Sequence, residues 1–98
     1  MQTLERNYQV RSGEIDLVMR DGNTLVFTEV RYRGNNSHGS GAETVTLTKQ
    51  RRIISAARRF LQHHPAEAAR PCRFDVVSIG SDQGRTLLNW IRSAFDAG

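Results

Sequence analysis

Two short alternating stretches, 13–17 and 27–31, constrain the fold of this chain more than any other feature of the sequence. The polar tetrapeptide 20–23 lies between them and contains a glycine, which predicts a β-hairpin. Strand side chains alternate between the two faces of a sheet. Any register in which paired residue numbers add to an odd sum therefore places Asp16 and Glu29 on one face.

The simplest register fixes how close these acids come. A two-residue loop centred on Asp21 and Gly22 would pair Glu14 with Glu29 and leave Asp16 diagonal to Glu29. Carboxylates that face one another repel unless a cation lies between them, and Mg²⁺ or Mn²⁺ prefers such oxygen ligands. The hairpin residues alone are compatible with a metal site and with an ordinary solvent-facing hairpin. A one-residue slip in register would exclude the metal site.

The length and net charge of the chain limit the classes of protein to which it can belong. The chain has 98 residues, 38% of them apolar, which is enough for one small core, so we expect a single domain over 1–98. Fourteen Lys and Arg against 10 Asp and Glu give a formal charge of +4, which favours a polyanionic partner such as DNA.

The absence of a long apolar run and the charges throughout the first twenty residues indicate a cytoplasmic protein without a membrane partner. Cys72 is the single cysteine, so no internal disulfide is expected.

The segment 48–63 carries apolar residues at helical spacing and predicts an amphipathic helix that ends before Pro65. Gln50 projects among the core-facing residues, where its amide would either orient an acidic site or satisfy backbone groups at the helix start. Lys49 lies on the flank of that face and could supply a cation to the site. The opposite face has basic side chains without an acid, which fits either a phosphate backbone or a solvated surface: Arg51, Arg52, Arg58 and Arg59.

The remaining segments complete a mixed sheet. The opening strand and the hairpin give three consecutive antiparallel strands, and 74–79 predicts a further strand joined in parallel across the helix. A short strand over 85–88 and a terminal helix capped by Asn89 are expected to follow. The glycine-rich loop 34–41 contains His38, which we expect to be solvated.

Four stretches in order carry a resemblance to a known family: GEIDLVMRDGNTLVFTEVRYR, TVTLTKQRRIISAARRFL, CRFDVVSIG and WIRSAFD. Together they resemble the YraN family of bacterial proteins, over about 6–96. That family is similar to the PD-(D/E)xK, or restriction-endonuclease-like, nucleases near the archaeal Holliday-junction resolvases. The resemblance implies an α/β fold with a mixed central β-sheet flanked by helices. It also implies a metal-dependent DNA endonuclease that acts on branched DNA, with a homodimer as the resolvase arrangement.

The resemblance also implies roles for single residues. Asp16 matches the first acid of the nuclease motif and Glu29 the second, and together they would bind Mg²⁺ or Mn²⁺. Arg31 stands where the motif usually has lysine, and its guanidinium can stabilise negative charge but cannot act as a base. Gln50 would orient the site. The family usually has a helix before the first strand that often carries another acid; we expect this helix to be absent here, which leaves Glu14 as the nearby spare acid.

Two other functions are compatible with the same residues. A nucleic-acid-binding module that kept the fold and lost cleavage is favoured by Arg31 and by the expected absence of the first helix. A protein-interaction domain would use the basic helix face to bind an acidic partner. The salt dependence of DNA binding separates these two functions.

Overall fold

The computed structural model describes residues 1–33 and 45–97, which form an α/β fold. The elements in chain order are β1 (Gln2–Val10), β2 (Gly13–Asp21), β3 (Thr24–Tyr32), α1 (Leu47–His63), a 3-10 helix (Pro65–Glu67), β4 (Cys72–Asp82) and β5 (Arg85–Phe95). The strands form one sheet in the order β1-β2-β3-β4-β5, in which β3 and β4 are parallel and the other neighbours antiparallel. The predicted mixed sheet is therefore confirmed. Helices on its flanks are only weakly borne out, because α1 is the single α-helix of the described residues.

The predicted glycine-rich loop 34–41, with His38, lies outside the described residues.

The β2–β3 turn lies one position later in the chain than predicted. Asp21 pairs with Thr24, so Gly22 and Asn23 form the two-residue loop, and Gly22 has a φ of 60°. Glycine at the first loop position is typical of a type II′ turn, because it adopts positive φ without steric cost. The prediction of a loop centred on Asp21 and Gly22 is therefore wrong.

This turn shifts the hairpin register by two residues and changes how the acids meet. The ladder pairs Leu17 with Thr28, so the predicted pairing of Glu14 with Glu29 is wrong. The sum of paired residue numbers nevertheless stays odd. Asp16 and Glu29 are consequently still on one face, and they lie at the next position of the ladder rather than diagonally across it.

The prediction of a C-terminal helix is wrong, because β5 occupies that segment. The segment Arg85–Phe95 pairs along β4 instead of becoming helical at Asn89. Asp75 is fully buried on β4, and its carboxylate accepts hydrogen bonds from Trp90 Nε1 at 2.9 Å and from the Ser93 amide at 3.0 Å. A buried carboxylate requires such donors, and only the extended chain brings these two to it.

α1 begins one residue earlier than predicted because Thr46 caps it. The Thr46 hydroxyl accepts a hydrogen bond from the amide of Lys49 at 3.1 Å. The apolar face packs on the sheet, with Phe60 edge-on to Phe27 at a ring separation of 6.0 Å. Its buried residues are Ile53, Ala56, Ala57 and Phe60. No helix in the described part of the chain is long and apolar enough to cross a membrane.

Gly13 allows α1 to approach β2 closely. A Cβ atom at Gly13 would lie 2.1 Å from the carbonyl oxygen of Arg52, and this helical backbone atom cannot rotate away. We expect Gly13→Ala to lower the free energy of unfolding by roughly 1–3 kcal/mol in urea titrations, because the helix must move off the sheet. Gly80→Ala is the control, since its Cβ would meet the nearest side chain at 3.8 Å. Equal stability of Gly13→Ala and the wild type would contradict the close approach.

Candidate active site

The sheet forks where β2 and β3 separate. Their ladder ends at the pair of Leu17 and Thr28, whereas β3 continues beside β4 as far as Tyr32. From the same point β2 continues beside β1. Asp16 lies on the β2 branch and Glu29 on the β3 branch, so the fork holds both acids predicted from the hairpin.

The side chain of Asp16 spans this fork. Its Oδ2 accepts a hydrogen bond from the backbone amide of Val30 at 2.8 Å. The amide of Val30 thus finds its acceptor in a side chain where regular strand pairing has ended. This bond fixes the half-buried carboxylate of Asp16 beside β3, next to Glu29.

Glu29 is a buried carboxyl group with a strongly perturbed acidity. It is 6% exposed, and burial is the largest cause that raises its pKa from 4.5 to about 7. A hydrogen bond with Asp16 and the negative charge of Asp16 raise the pKa further, while the charges of Lys49 and Arg31 lower it. A pKa of about 7 means that this carboxyl group is about half protonated near neutral pH.

Lys49 brings a cation to Glu29 from the first turn of α1. Its Nζ lies 3.7 Å from Glu29 Oε2, and the side chain is 31% exposed. The Thr46 cap binds the amide of Lys49 itself, so it fixes the residue that carries this cation. The prediction that the flank of α1 supplies a charge to the site agrees with this geometry.

The side chains of two other predicted site residues, Gln50 and Glu14, form hydrogen bonds with groups outside the carboxylate pair. Gln50 Nε2 donates to the carbonyl oxygen of Val45 at 3.0 Å, which is the alternative in which the amide satisfies backbone at the helix start. Glu14 is exposed and accepts a hydrogen bond from Gln9 at 3.1 Å, so it contacts the edge strand β1. Arg31 is half-buried and close enough for its charge to lower the pKa of Glu29.

The basic side chains of α1 form an exposed row on the side of the helix that faces away from the core. All four members of this basic row are exposed: Arg51, Arg52, Arg58 and Arg59. The row begins two residues after Lys49, so it extends away from the carboxylate pair along one helix. The predicted amphipathic character of α1 is confirmed.

The oxygen donors of the fork fit Mg²⁺ or Mn²⁺. Within 1–33 and 45–97, no group of three or more His, Cys, Asp or Glu side chains is placed to hold a metal. Mg²⁺ needs no such group, because it commonly binds one or two carboxylates and keeps several waters. A divalent cation would relieve the repulsion by which the charge of Asp16 raises the pKa of Glu29. The pair therefore fits an ion that completes its coordination with water and phosphate oxygens.

The raised pKa of Glu29 predicts how the metal-free protein responds to pH. The folded state binds this proton more tightly than the unfolded state. The stability gained from this tighter binding is therefore complete below pH 4.5 and is lost as pH rises through about 7. We expect the free energy of unfolding in EDTA to fall by about 3 kcal/mol between about pH 5 and pH 8. Urea titrations of the wild type and Glu29→Gln measure it. The same pH dependence in both proteins would contradict the assignment.

The fork also contains a cleft that the hairpin pattern alone does not predict. It has a volume of about 370 Å³. Its lining residues are Arg6, Asn7, Asp16, Leu17, Val30 and Tyr32. The one sequence signal for it is Tyr32, an aromatic residue between two arginines at the end of β3. Alternation does not reveal where a ladder ends, so the fork itself could not be predicted from the sequence.

Comparison with known proteins identifies relatives over almost the whole chain. The model of a family described as "Uncharacterised protein family UPF0102" matches residues 1–79. A UPF0102 protein of Stutzerimonas stutzeri (strain A1501) is 52% identical over 97 residues, which cover 99% of this chain and 81% of the relative. A UPF0102 protein of Xanthomonas oryzae pv. oryzae (strain PXO99A) is 53% identical over 91 residues, covering 93% of this chain and 73% of the relative. These names state no activity.

Proposed function

This chain belongs to the UPF0102 family, which includes the YraN proteins, and from its sheet fork we propose that it is a metal-dependent DNA endonuclease with a restriction-endonuclease-like, PD-(D/E)xK core. The observation that carries the proposal is the carboxylate pair. Asp16 is fixed to β3 by the Val30 amide, and Glu29 is buried beside it with a pKa of about 7. A carboxyl group whose pKa is raised by burial and by a neighbouring acid is typical of functional sites.

The proposed reaction is hydrolysis of a phosphodiester bond. Asp16 and Glu29 would hold Mg²⁺ or Mn²⁺, which when bound lowers the pKa of a coordinated water and neutralises charge on the scissile phosphate. The Val30 amide keeps Asp16 aligned for this task. Arg31 remains protonated and donates hydrogen bonds, so it is suited to stabilise negative charge that develops on the phosphoryl oxygens.

Lys49 adds a second positive charge to the site. Its Nζ lies 3.7 Å from Glu29 Oε2, within reach of a water held by the carboxylate pair. We assign to Lys49 an electrostatic role, in which its ammonium group orients the attacking water and stabilises negative charge that develops in the transition state.

DNA is the proposed partner. The basic row on α1 presents only positive charge to solvent, and such a surface binds phosphates without choosing a sequence. The net charge of +4 favours the same class of ligand. Branched DNA as the substrate, a homodimer and a cytoplasmic location remain proposals that follow from the resemblance and from composition.

A DNA-binding module without cleavage is the second candidate function. The observation that favours it is Arg31 at the position where the nuclease motif has lysine. Such a protein would bind DNA through the basic row, independently of metal and of Asp16. A protein-interaction domain with an acidic partner would instead show weak binding to DNA at every salt concentration.

Cleavage assays on defined DNA separate these functions. Labelled linear, flapped and four-way-junction DNA is incubated with Mg²⁺, Mn²⁺ or EDTA, and the same samples are examined on native gels. The proposal expects products in either metal and none in EDTA. Binding without products in any metal would contradict it and establish the second candidate function.

The basic row makes a separate prediction about salt. In B-DNA each phosphate contact contributes about 0.9 to the slope of log affinity against log salt concentration. We expect Arg58→Gln with Arg59→Gln to reduce that slope by roughly 2, measured by fluorescence anisotropy in EDTA. Arg85→Gln, an exposed arginine in the β4–β5 turn region, is the matched control and should leave the slope unchanged. An unaltered slope in the double variant would exclude phosphate contacts by these arginines.

A further inference from the structure

The cleft in the sheet fork joins the proposed catalytic acid to residues that the proposed mechanism does not use. Asp16 forms part of its wall, and its apolar part consists of Leu17 on β2 and Val30 on β3. Arg6 and Asn7 of β1 lie on one branch of the fork, and Tyr32 lies on the other. A ligand in this cleft would therefore contact the same carboxylate that is proposed to act on DNA.

Tyr32 is the exposed aromatic residue of the cleft. It is 81% exposed, although it belongs to a strand that is otherwise largely buried. Pairing with β4 continues as far as Tyr32 and Ile79, so the backbone that carries the ring is held in place. An exposed aromatic ring on such a backbone offers a flat surface on which any nucleobase can stack.

The polar residues of the cleft suit the rest of a nucleotide. The guanidinium of Arg6 is exposed and can bind a phosphate in a two-pronged geometry. The amide of Asn7 offers both a donor and an acceptor, and its backbone φ of 51° is unusual for a residue other than glycine. A volume of about 370 Å³ lies within the range of small-ligand pockets and is far too small for a duplex.

We infer that this cleft binds an unpaired nucleotide of the DNA substrate, with its base stacked on Tyr32 and a phosphate at Arg6. Bases inside a continuous duplex cover one another, so only an unpaired base can present its face to the ring. The substrate class is then DNA in which a single strand meets a duplex, such as a flap. This inference rests on the proposed function, because Asp16 belongs to both sites.

Binding experiments without metal test the cleft separately from cleavage. A duplex with a short single-stranded flap carries 2-aminopurine as the first unpaired base, and a blunt duplex serves as the comparison. In EDTA the wild type is expected to quench 2-aminopurine through stacking. Tyr32→Ala is expected to lose the quenching and to bind the flap about 5- to 100-fold more weakly, with unchanged affinity for the blunt duplex. Tyr32→Phe keeps the ring and should retain both properties.

An abasic flap provides the matched control on the DNA side. Removal of the unpaired base should weaken wild-type binding by the same factor as Tyr32→Ala, and should not weaken the variant further, because one interaction has been removed from either side. The exposed position of Tyr32 means that urea unfolding of the variants should match the wild type.

Two outcomes of the binding experiments would overturn the inference. One is the absence of 2-aminopurine quenching by the wild type, and the other is an equal loss of affinity for flap and blunt duplex in Tyr32→Ala. The proposed function fails in a different way, by the absence of metal-dependent products from every DNA. Cleavage that is unchanged in rate and substrate preference in Tyr32→Ala would overturn the cleft assignment alone and leave the nuclease proposal standing.

Discussion

Asp16→Asn is expected to lower metal-dependent DNA cleavage by roughly a thousandfold, since a bound metal contributes several kcal/mol of transition-state stabilisation. The amide side chain is neutral, so it cannot balance a divalent cation together with Glu29. Its amide oxygen can still accept from the Val30 amide, as Asp16 does at 2.8 Å in the wild type, so the substitution removes the charge and keeps this hydrogen bond. The rate of product formation in Mg²⁺ and in Mn²⁺ measures the effect.

The same substitution should have the opposite effect on stability. Asp16 raises the pKa of Glu29 through its charge, which is a repulsion that the folded protein carries once both groups are ionised. Removal of that charge is expected to increase the free energy of unfolding at about pH 8 in EDTA, as is common where function opposes stability. Asp82→Asn, at an exposed carboxylate of β4, is the control and should change neither property. Wild-type cleavage by Asp16→Asn would contradict the assignment of Asp16.

Lys49→Ala is expected to lower kcat by about 10²- to 10³-fold, which is the usual cost of removing one group that stabilises developing charge. The Nζ of Lys49 is 3.7 Å from Glu29, so its loss removes a group at the site rather than a distant contact with DNA. Affinity for DNA should change little. Single-turnover cleavage rates and anisotropy titrations measure the two quantities separately.

Two further variants separate the charge at the site from contacts with DNA. Lys49→Arg keeps a positive charge next to Glu29, so it is expected to cleave faster than Lys49→Ala. Arg51→Ala, in the exposed basic row of the same helix, should raise KM while kcat stays near that of the wild type. A rate in Lys49→Arg as low as that in Lys49→Ala would contradict the electrostatic role of Lys49.

The meeting of the two acids could be predicted because it depends on parity alone. Every register with an odd sum places Asp16 and Glu29 on one face, so the error of two residues in the predicted pairing did not separate them. The exact register depended on which glycine-containing pair formed the turn. The pairing of Asp21 with Thr24 makes Gly22 the first residue of the loop, and the sequence allowed both options.

The segment after Asn89 shows where local pattern loses to tertiary contacts. Trp90 and Phe95 are spaced in a way that suits a helix, yet Trp90 donates to the buried carboxylate of Asp75 and Phe95 stacks on Phe74. Arg73 on the same strand also donates to Asp75, but the donors Trp90 and Ser93 lie fifteen or more residues away in the chain. Helical periodicity cannot represent such a requirement.

α1 was easier to predict because its period, cap and core contacts agree. Thr46 binds the amide of Lys49, and the residues at helical spacing are those that pack on the sheet. Gln50 is the exception on this helix. Its angle placed it toward the core, but its partner is the carbonyl of Val45 just before the helix. A side chain at a helix start can satisfy local backbone as readily as a distant site.

Isothermal titration of the metal-free protein with Mn²⁺ at about pH 8 asks whether the two acids at the sheet fork hold a cation together. We expect saturable binding by the wild type that is lost in both Asp16→Asn and Glu29→Gln, and retained in Asp82→Asn. Binding of Mn²⁺ with equal affinity to the wild type and to Glu29→Gln would show that the carboxylate pair is not a metal site, and the proposed mechanism would have to be abandoned.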